Sequence, residues 1–287
     1  MKRLNLWAVI FTALMLSLSG CGGGGGGSSS PGTNGGTGGN AAGKAPAAAA
    51  VSIVDTFIGE GLAGTLAGMS SQGQGLPLAA AREARAEPVT VRCQSGGSLT
   101  ISANQSTSTI VFNQCTTDGS TVNGTMKISN TTYAHNEFSG TFELQHMTVT
   151  EGTLSTYLDL KYTISYEMGS GGSGLSNYLI KISGDVEVTK GNEVSRSHID
   201  NLTVKMAEDK MWLDGKFTIE NNPNVCEMNG TYTIRTIQPL TIDKTTHTVT
   251  GGEIKINDST VRFNADGTVT VDGHTYTLSE LQEQCGS

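Results

Sequence analysis

The chain has 287 residues and a formal net charge of −8, with 15% charged and 6% aromatic side chains, and its lysines and arginines form no cluster. That balance argues against nucleic-acid binding, which needs concentrated basic side chains for phosphate contacts. The acidity acts as a solubility device, and 38 glycines among many Ser and Thr residues suit a β-rich exported domain with many turns.

Lys2 and Arg3 form a short positive region, and Leu4 to Leu18 is apolar apart from Asn5, Thr12 and Ser17. This is the build of a secretory signal over residues 1–20, too short for a stable membrane span. It ends in Leu18-Ser19-Gly20-Cys21, which resembles the lipobox of bacterial lipoprotein precursors. The resemblance implies lipid transfer to the Cys21 Sγ, cleavage before Cys21 and N-acylation, with palmitate-type chains. Two or three chains hold a protein on a bilayer, whereas one does so only marginally. Losing Lys2 and Arg3 with the signal takes the net charge from −8 to −10. Gly22 follows Cys21, where enteric lipoproteins kept in the inner membrane carry aspartate. By that family rule the expected location is the outer membrane of the cell envelope, facing the periplasm or the surface.

Residues 21–46 comprise the lipidated cysteine and a Gly, Ser, Thr, Asn and Ala tether with little apolar surface to bury. Its random-coil reach is roughly 25–30 Å. Residues 47–87 are rich in small residues and predict a glycine-weakened helix over 47–58, then a linker ended by Pro88. The formal G-x-G-x-x-G over Gly59–Gly64 lacks the βαβ context of a dinucleotide site. The Gly64/Gly68 and Ala63/Ala67 spacing leaves open a close helix contact.

From Pro88 the apolar period changes to two, so residues 88–287 are expected to be one all-β domain. Leu158, Leu160, Tyr162, Ile164, Tyr166 and Met168 alternate with polar residues over 154–168. Tyr178, Ile180, Ile182, Val186 and Val188 line one face of a second run. Gly169 to Gly174 separates the two, predicting a long antiparallel hairpin. A meander of shorter strands follows, with turns at Asn257-Asp258, Asp266-Gly267 and Asp272-Gly273. Ser279 is expected to cap a final helical turn.

An apolar-x-Gly-x-apolar-x-apolar pattern recurs around Gly124, Gly140, Gly184, Gly215 and Gly230, and more loosely at Gly252. The spacings of 16, 44, 31, 15 and 22 residues exclude a solenoid. Each glycine falls on the apolar face. Two explanations stand: a sharply curved sheet, half-barrel or barrel-like, or turns at strand entry. A lipid-tethered curved antiparallel sheet is similar, at the level of fold alone, to the lipoprotein-sorting half-barrels of the Gram-negative periplasm.

Four cysteines remain besides Cys21: Cys93, Cys115, Cys226 and Cys285. An even number in an exported chain predicts two disulfides. Of three possible pairings, Cys93–Cys115 and Cys226–Cys285 each bracket one self-contained run of strand-like sequence. No Cys-x-x-Cys, Gly-x-Ser-x-Gly, His-Glu-x-x-His or Walker A pattern occurs, so neither cofactor nor metal is expected. His135, His146, His198, His247 and His274 are scattered, and wet strand faces are their expected places. Asn264-x-Asp266-Gly267 lacks the acidic series of a calcium loop, and Glu208-Asp209 is expected to be a solvated turn. The six Asn-x-Ser/Thr triplets, Asn123 and Asn229 among them, follow from composition.

The expected protein is therefore a membrane-anchored envelope lipoprotein carrying a non-catalytic binding module for an envelope protein. The alternative is a carrier of an apolar or lipid ligand, distinguished by an interior cavity in place of a filled core. Cys21→Ser should abolish incorporation of a palmitate analogue and leave unprocessed precursor. Undiminished label on that variant would contradict the anchor.

Overall fold

The computed structural model describes residues 49–51, 54, 87–104, 106–117, 119–134, 137–168, 175–221, 229–243, 246, 248–277 and 280–281. Among them the chain forms fourteen strands. The first five are β1 (Val89–Arg92), β2 (Gly96–Ala103), β3 (Thr107–Thr117), β4 (Ser120–Ala134) and β5 (Glu137–Glu151). The long central hairpin is β6 (Leu154–Met168) with β7 (Leu175–Lys190), followed by β8 (Glu193–Ala207), β9 (Lys210–Asn221) and β10 (Gly230–Asp243). The shorter strands are β11 (Thr248–Ile256), β12 (Ser259–Phe263), β13 (Thr268–Val271) and β14 (His274–Thr277). All fourteen lie in one antiparallel sheet in chain order, and the sheet is not closed. The turns sit where residues that tolerate φ > 0 fall, as at Asn257 (φ 52°) and Asp272 (φ 47°).

One face carries the core. On β6 the side chains of Leu158, Leu160, Ile164 and Tyr166 are buried, while Tyr157, Asp159, Lys161 and Ser165 face away. The predicted β7 face of Tyr178, Ile180, Ile182, Val186 and Val188 is buried in the same cluster. Each fully buried aliphatic side chain contributes roughly 1.5–3 kcal/mol. Residues 49–51 and 54 are helical, and Ala49, Ala50, Val51 and Val54 are buried with the sheet's apolar face. Their small side chains let that segment sit close to the strands. A sheet face that would otherwise be wet is thus covered partly by chain that precedes the strands.

A single sheet can bury one of its own faces only by bending, and the recurring glycines mark where it bends. At Gly184 the backbone has φ 127°, and a Cβ would run into the Asp159 carbonyl and the Leu160 backbone of β6. At Gly124 (φ 118°) a Cβ would meet Met147 Cα and the His146 carbonyl of β5. There β5 carries a bulge, because Leu144 pairs with Leu160 but Met147 with Leu158, so Gln145 and His146 oppose one residue. His146 takes the left-handed conformation at φ 49°. Bulges bend and twist a strand, and glycine in the neighbour removes the side chain that would block the approach. Gly215 and Gly252 meet neighbouring backbone in the same way. Gly140 instead lies beneath the Phe138 and Phe142 rings. Only Gly230, the first residue of β10, fits the strand-entry explanation.

The sheet's first edge is stapled. Cys93 and Cys115 form a disulfide with Cα atoms 5.3 Å apart, as expected from the sequence. It ties the end of β1 to β3 across β2 and closes a 22-residue separation, contributing about 3 kcal/mol on the chain-entropy model. The expected Cys226–Cys285 pair, the Gly169–Gly174 turn and the cap at Ser279 lie outside the described residues. A capping box two residues earlier is present. Glu280 Oε2 accepts the Thr277 N–H at 2.7 Å, and Thr277 Oγ1 accepts the Glu280 N–H at 3.3 Å.

Gly184→Ala should destabilise the purified protein by about 3 kcal/mol in urea, since both the φ and the carbonyl oppose a Cβ. Gly140→Ala, with ordinary φ and only rings to displace, should cost less than about 1 kcal/mol. Equal effects of the two would contradict close approach as the reason for Gly184.

Candidate functional site

The apolar face is filled, and the sheet is indented at one end. There the end of β4, the start of β5, the end of β6, the start of β7 and the end of β8 bound a groove of about 590 Å³. Strand register assembles it in rows. Phe138 of β5 pairs with Tyr166 of β6, Tyr166 with Tyr178 of β7, and Tyr178 with Met206 of β8. All four belong to the core-facing set, and Tyr166 and Tyr178 are buried there. One residue along each strand, and so on the opposite, outward face with Ser139, Ser165, Leu179 and Lys205, Glu137 pairs with Glu167, Glu167 with Asn177 and Asn177 with Ala207, forming the rim.

The core-facing row is aromatic and ordered. The Phe138 and Tyr166 ring centroids are 5.1 Å apart at 30°. Phe138 continues inward to Phe142 at 6.5 Å, and Phe142 stacks on Tyr162 at 5.0 Å and 6°. Such offset and tilted pairs each contribute roughly 0.5–1.5 kcal/mol beyond burial. Gly140 makes this ladder possible, since a side chain there would occupy the space the two Phe rings share. Burial pushes the Tyr178 and Tyr162 phenols well above the ordinary tyrosine value of 10.0. The Tyr162 hydroxyl and the Thr156 hydroxyl are buried without a hydrogen-bond partner among the described residues.

The rim is acidic. Asn177 Nδ2 donates to Glu167 Oε2 at 2.6 Å, and the Glu208 N–H donates to Asn177 Oδ1 at 3.3 Å. Those two bonds dock the β8–β9 turn, which holds the predicted Glu208-Asp209 pair, beside the groove. Lys205 contributes its chain to the lining, but its ammonium lies over the outer-face Trp212 ring at 5.1 Å.

The histidines follow the wet-face expectation where described. His146 Nδ1 lies 2.7 Å from the Tyr157 hydroxyl and 3.2 Å from Asp159 Oδ2 on the outer face. His198 Nδ1 lies 2.6 Å from Asp185 Oδ1. The Tyr157 phenol is raised by lost hydration first, then by the Asp159 and Asp185 charges. Among the described residues no three His, Cys, Asp or Glu side chains come together as metal ligands. Asn264 and Asp266 form the β12–β13 turn, where Asp266 Oδ1 accepts from the Thr268 N–H and hydroxyl at 3.0 and 2.6 Å. Those bonds lower the Asp266 carboxyl. Asn123, expected from composition alone, holds a bulge in place. Its Oδ1 accepts the N–H of the left-handed Gln114 at 2.8 Å. Cys21, His135 and His247 lie outside the described residues. The groove itself has no local signal in the sequence, because its lining residues are distributed over five strands.

The chain matches no protein-family model, no curated protein and no solved structure.

Alkaline spectrophotometric titration should find Tyr178 and Tyr162 ionising only as the protein unfolds. Their folded values exceed the unfolded one, so stability holds below about pH 10 and falls as pH rises beyond it. Ionisation of all seven tyrosines in folded protein at about pH 11 would contradict their burial.

Proposed function

We propose that this chain is an envelope lipoprotein, anchored through Cys21, whose curved sheet is a non-catalytic binding module. The observation that carries the reading is the groove. Ser139, Ser165, Leu179 and Lys205 line it beside the row from Glu137 to Ala207 at the strand ends, while the core face is filled. Concave surfaces with a few convergent polar groups are the usual make-up of binding sites. A carrier holding its ligand inside the sheet would need interior space. Here the inward side chains of β3–β13 are packed together with Ala49, Ala50, Val51 and Val54, which supports the module over the carrier. The tether over residues 21–46 lets the module stand off the bilayer yet remain near the outer membrane. Its acidity favours partners of opposite charge.

A photo-crosslinking residue in place of Ser139, in the groove, tests this in cells. Replacement of the exposed outer-face Lys181 serves as control. The reading expects Ser139-specific adducts to an envelope protein. Lipid adducts would favour the carrier, and identical adduct patterns at both positions would overturn the groove as the site.

A further inference from the structure

Resting on the anchor reading, we infer that the outward face of β8–β11 is a second membrane contact, seated on the bilayer that carries the lipid of Cys21. Trp212 and Ile237 meet its headgroup layer, and Arg235 and Lys255 its anionic groups. Strand register places these side chains together, turned away from the core. Trp212 stands between the buried Met211 and Leu213, Arg235 follows the buried Ile234, and Lys255 lies between the buried Ile254 and Ile256. Lys205 pairs with Trp212, Asp214 with Arg235, and Arg235 with Lys255, over four successive strands. Between Arg235 and Leu240 the register of β10 is irregular, so residues 236–239 oppose Leu213 and Trp212. Ile237 lies in that stretch and is 50% exposed, the most of any large apolar side chain among the described residues.

The charge of this patch runs against that of the chain, whose net value is −8. The close ion pairs nearby join Lys210 to Asp209, Lys216 to Asp200 and Arg262 to Glu253, and Arg235 and Lys255 take part in none of them. They face each other directly across β10 and β11, a like-charge pairing that costs stability. Asp214 faces Arg235 from the other side, so two cations share one carboxylate. Lys205 adds its ammonium over the Trp212 ring at 5.1 Å. An anion from outside relieves the pairing. Tryptophan, arginine and lysine beside a protruding aliphatic side chain are the set that settles where headgroups meet acyl chains. Charges farther off than a Debye length, about 8 Å at physiological salt, are screened, so the net acidity does not forbid the contact. So small a patch binds weakly by itself. The tether over residues 21–46 keeps bilayer within reach, at an effective concentration on the order of millimolar, and two attachments then fix the orientation in which the groove is presented.

Trp7 and Trp212 are the two tryptophans of the sequence. Trp7 falls in the signal region, which makes Trp212 the reporter of the mature chain. The test uses residues 21–287 with Cys21→Ser, so that no acyl chain contributes. Its vesicles are phosphatidylcholine alone, or phosphatidylcholine mixed with an equal share of phosphatidylglycerol. At low salt we expect the mixed vesicles to shift Trp212 emission to the blue and brominated lipid to quench it. Both effects should fade at about 0.5 M salt and be absent with phosphatidylcholine alone. Arg235→Gln with Lys255→Gln should weaken binding roughly ten- to thirty-fold and leave folding intact, since both side chains are exposed. Lys181→Gln, at an exposed outward position of β7, should leave binding unchanged. Equal binding to the two vesicle types, or an equal loss with Lys181→Gln, would overturn the patch. Tighter binding of polyglutamate than of mixed vesicles would overturn the bilayer in favour of an acidic protein. Unchanged Trp212 emission with every vesicle would overturn the inference. The palmitate label on Cys21 is read separately, so failure of the anchor and failure of the patch are told apart.

Discussion

The architecture depends on close approach between neighbouring strands at a few positions where one partner has no side chain. A flat antiparallel sheet has two faces, and without a second layer both are wet. Among the described residues the chain adds little besides strands, so its apolar face must be folded onto itself. Gly124 beside the His146 bulge, and Gly184 against the Asp159 carbonyl, let the backbone crowd on one side and the sheet turn inward. Burial of Met147, Leu158, Leu202 and Val204 follows from that bend, and Ala49, Ala50, Val51 and Val54 add to the cover.

The same bend separates a filled face from an outward one. On the outer face several carboxylates are paired to Lys, Arg or His across strands. The filled face is packed through to the aromatic row of Phe138, Tyr166 and Tyr178. On the outward face at the strand ends, Glu137 and Glu167 oppose each other with no partner of opposite charge among the described residues.

Much of the fold was legible in the sequence because alternation is a local signal. The apolar set of 154–168 gave the bounds of β6, and Asn257, Gly267 and Asp272 gave their turns, since only a few residue types tolerate those backbone angles. The Cys93–Cys115 bond followed from two strand-like runs that could return on each other. Bulges were not legible, because His146 and Gln114 enter left-handed conformations that neither residue type announces. The burial of Ala49, Ala50, Val51 and Val54 was hidden because Ala and Val at helical spacing do not say what they pack against. The groove was hidden for a further reason. Phe138, Tyr166, Tyr178 and Met206 become neighbours only through registers that the intervening turns and bulges set.

Hydroxyl-radical footprinting of methionines in the folded protein tests most directly whether one unclosed sheet buries its own face. Met147 and Met211 are fully buried in the core, whereas Met206 lines the groove. A self-covering sheet predicts strong protection of Met147 and Met211 relative to urea-unfolded protein, with Met206 oxidised in the folded state. Oxidation of Met147 and Met211 at the unfolded rate would mean that the face is open, and would contradict the curvature from which the core and the groove both follow.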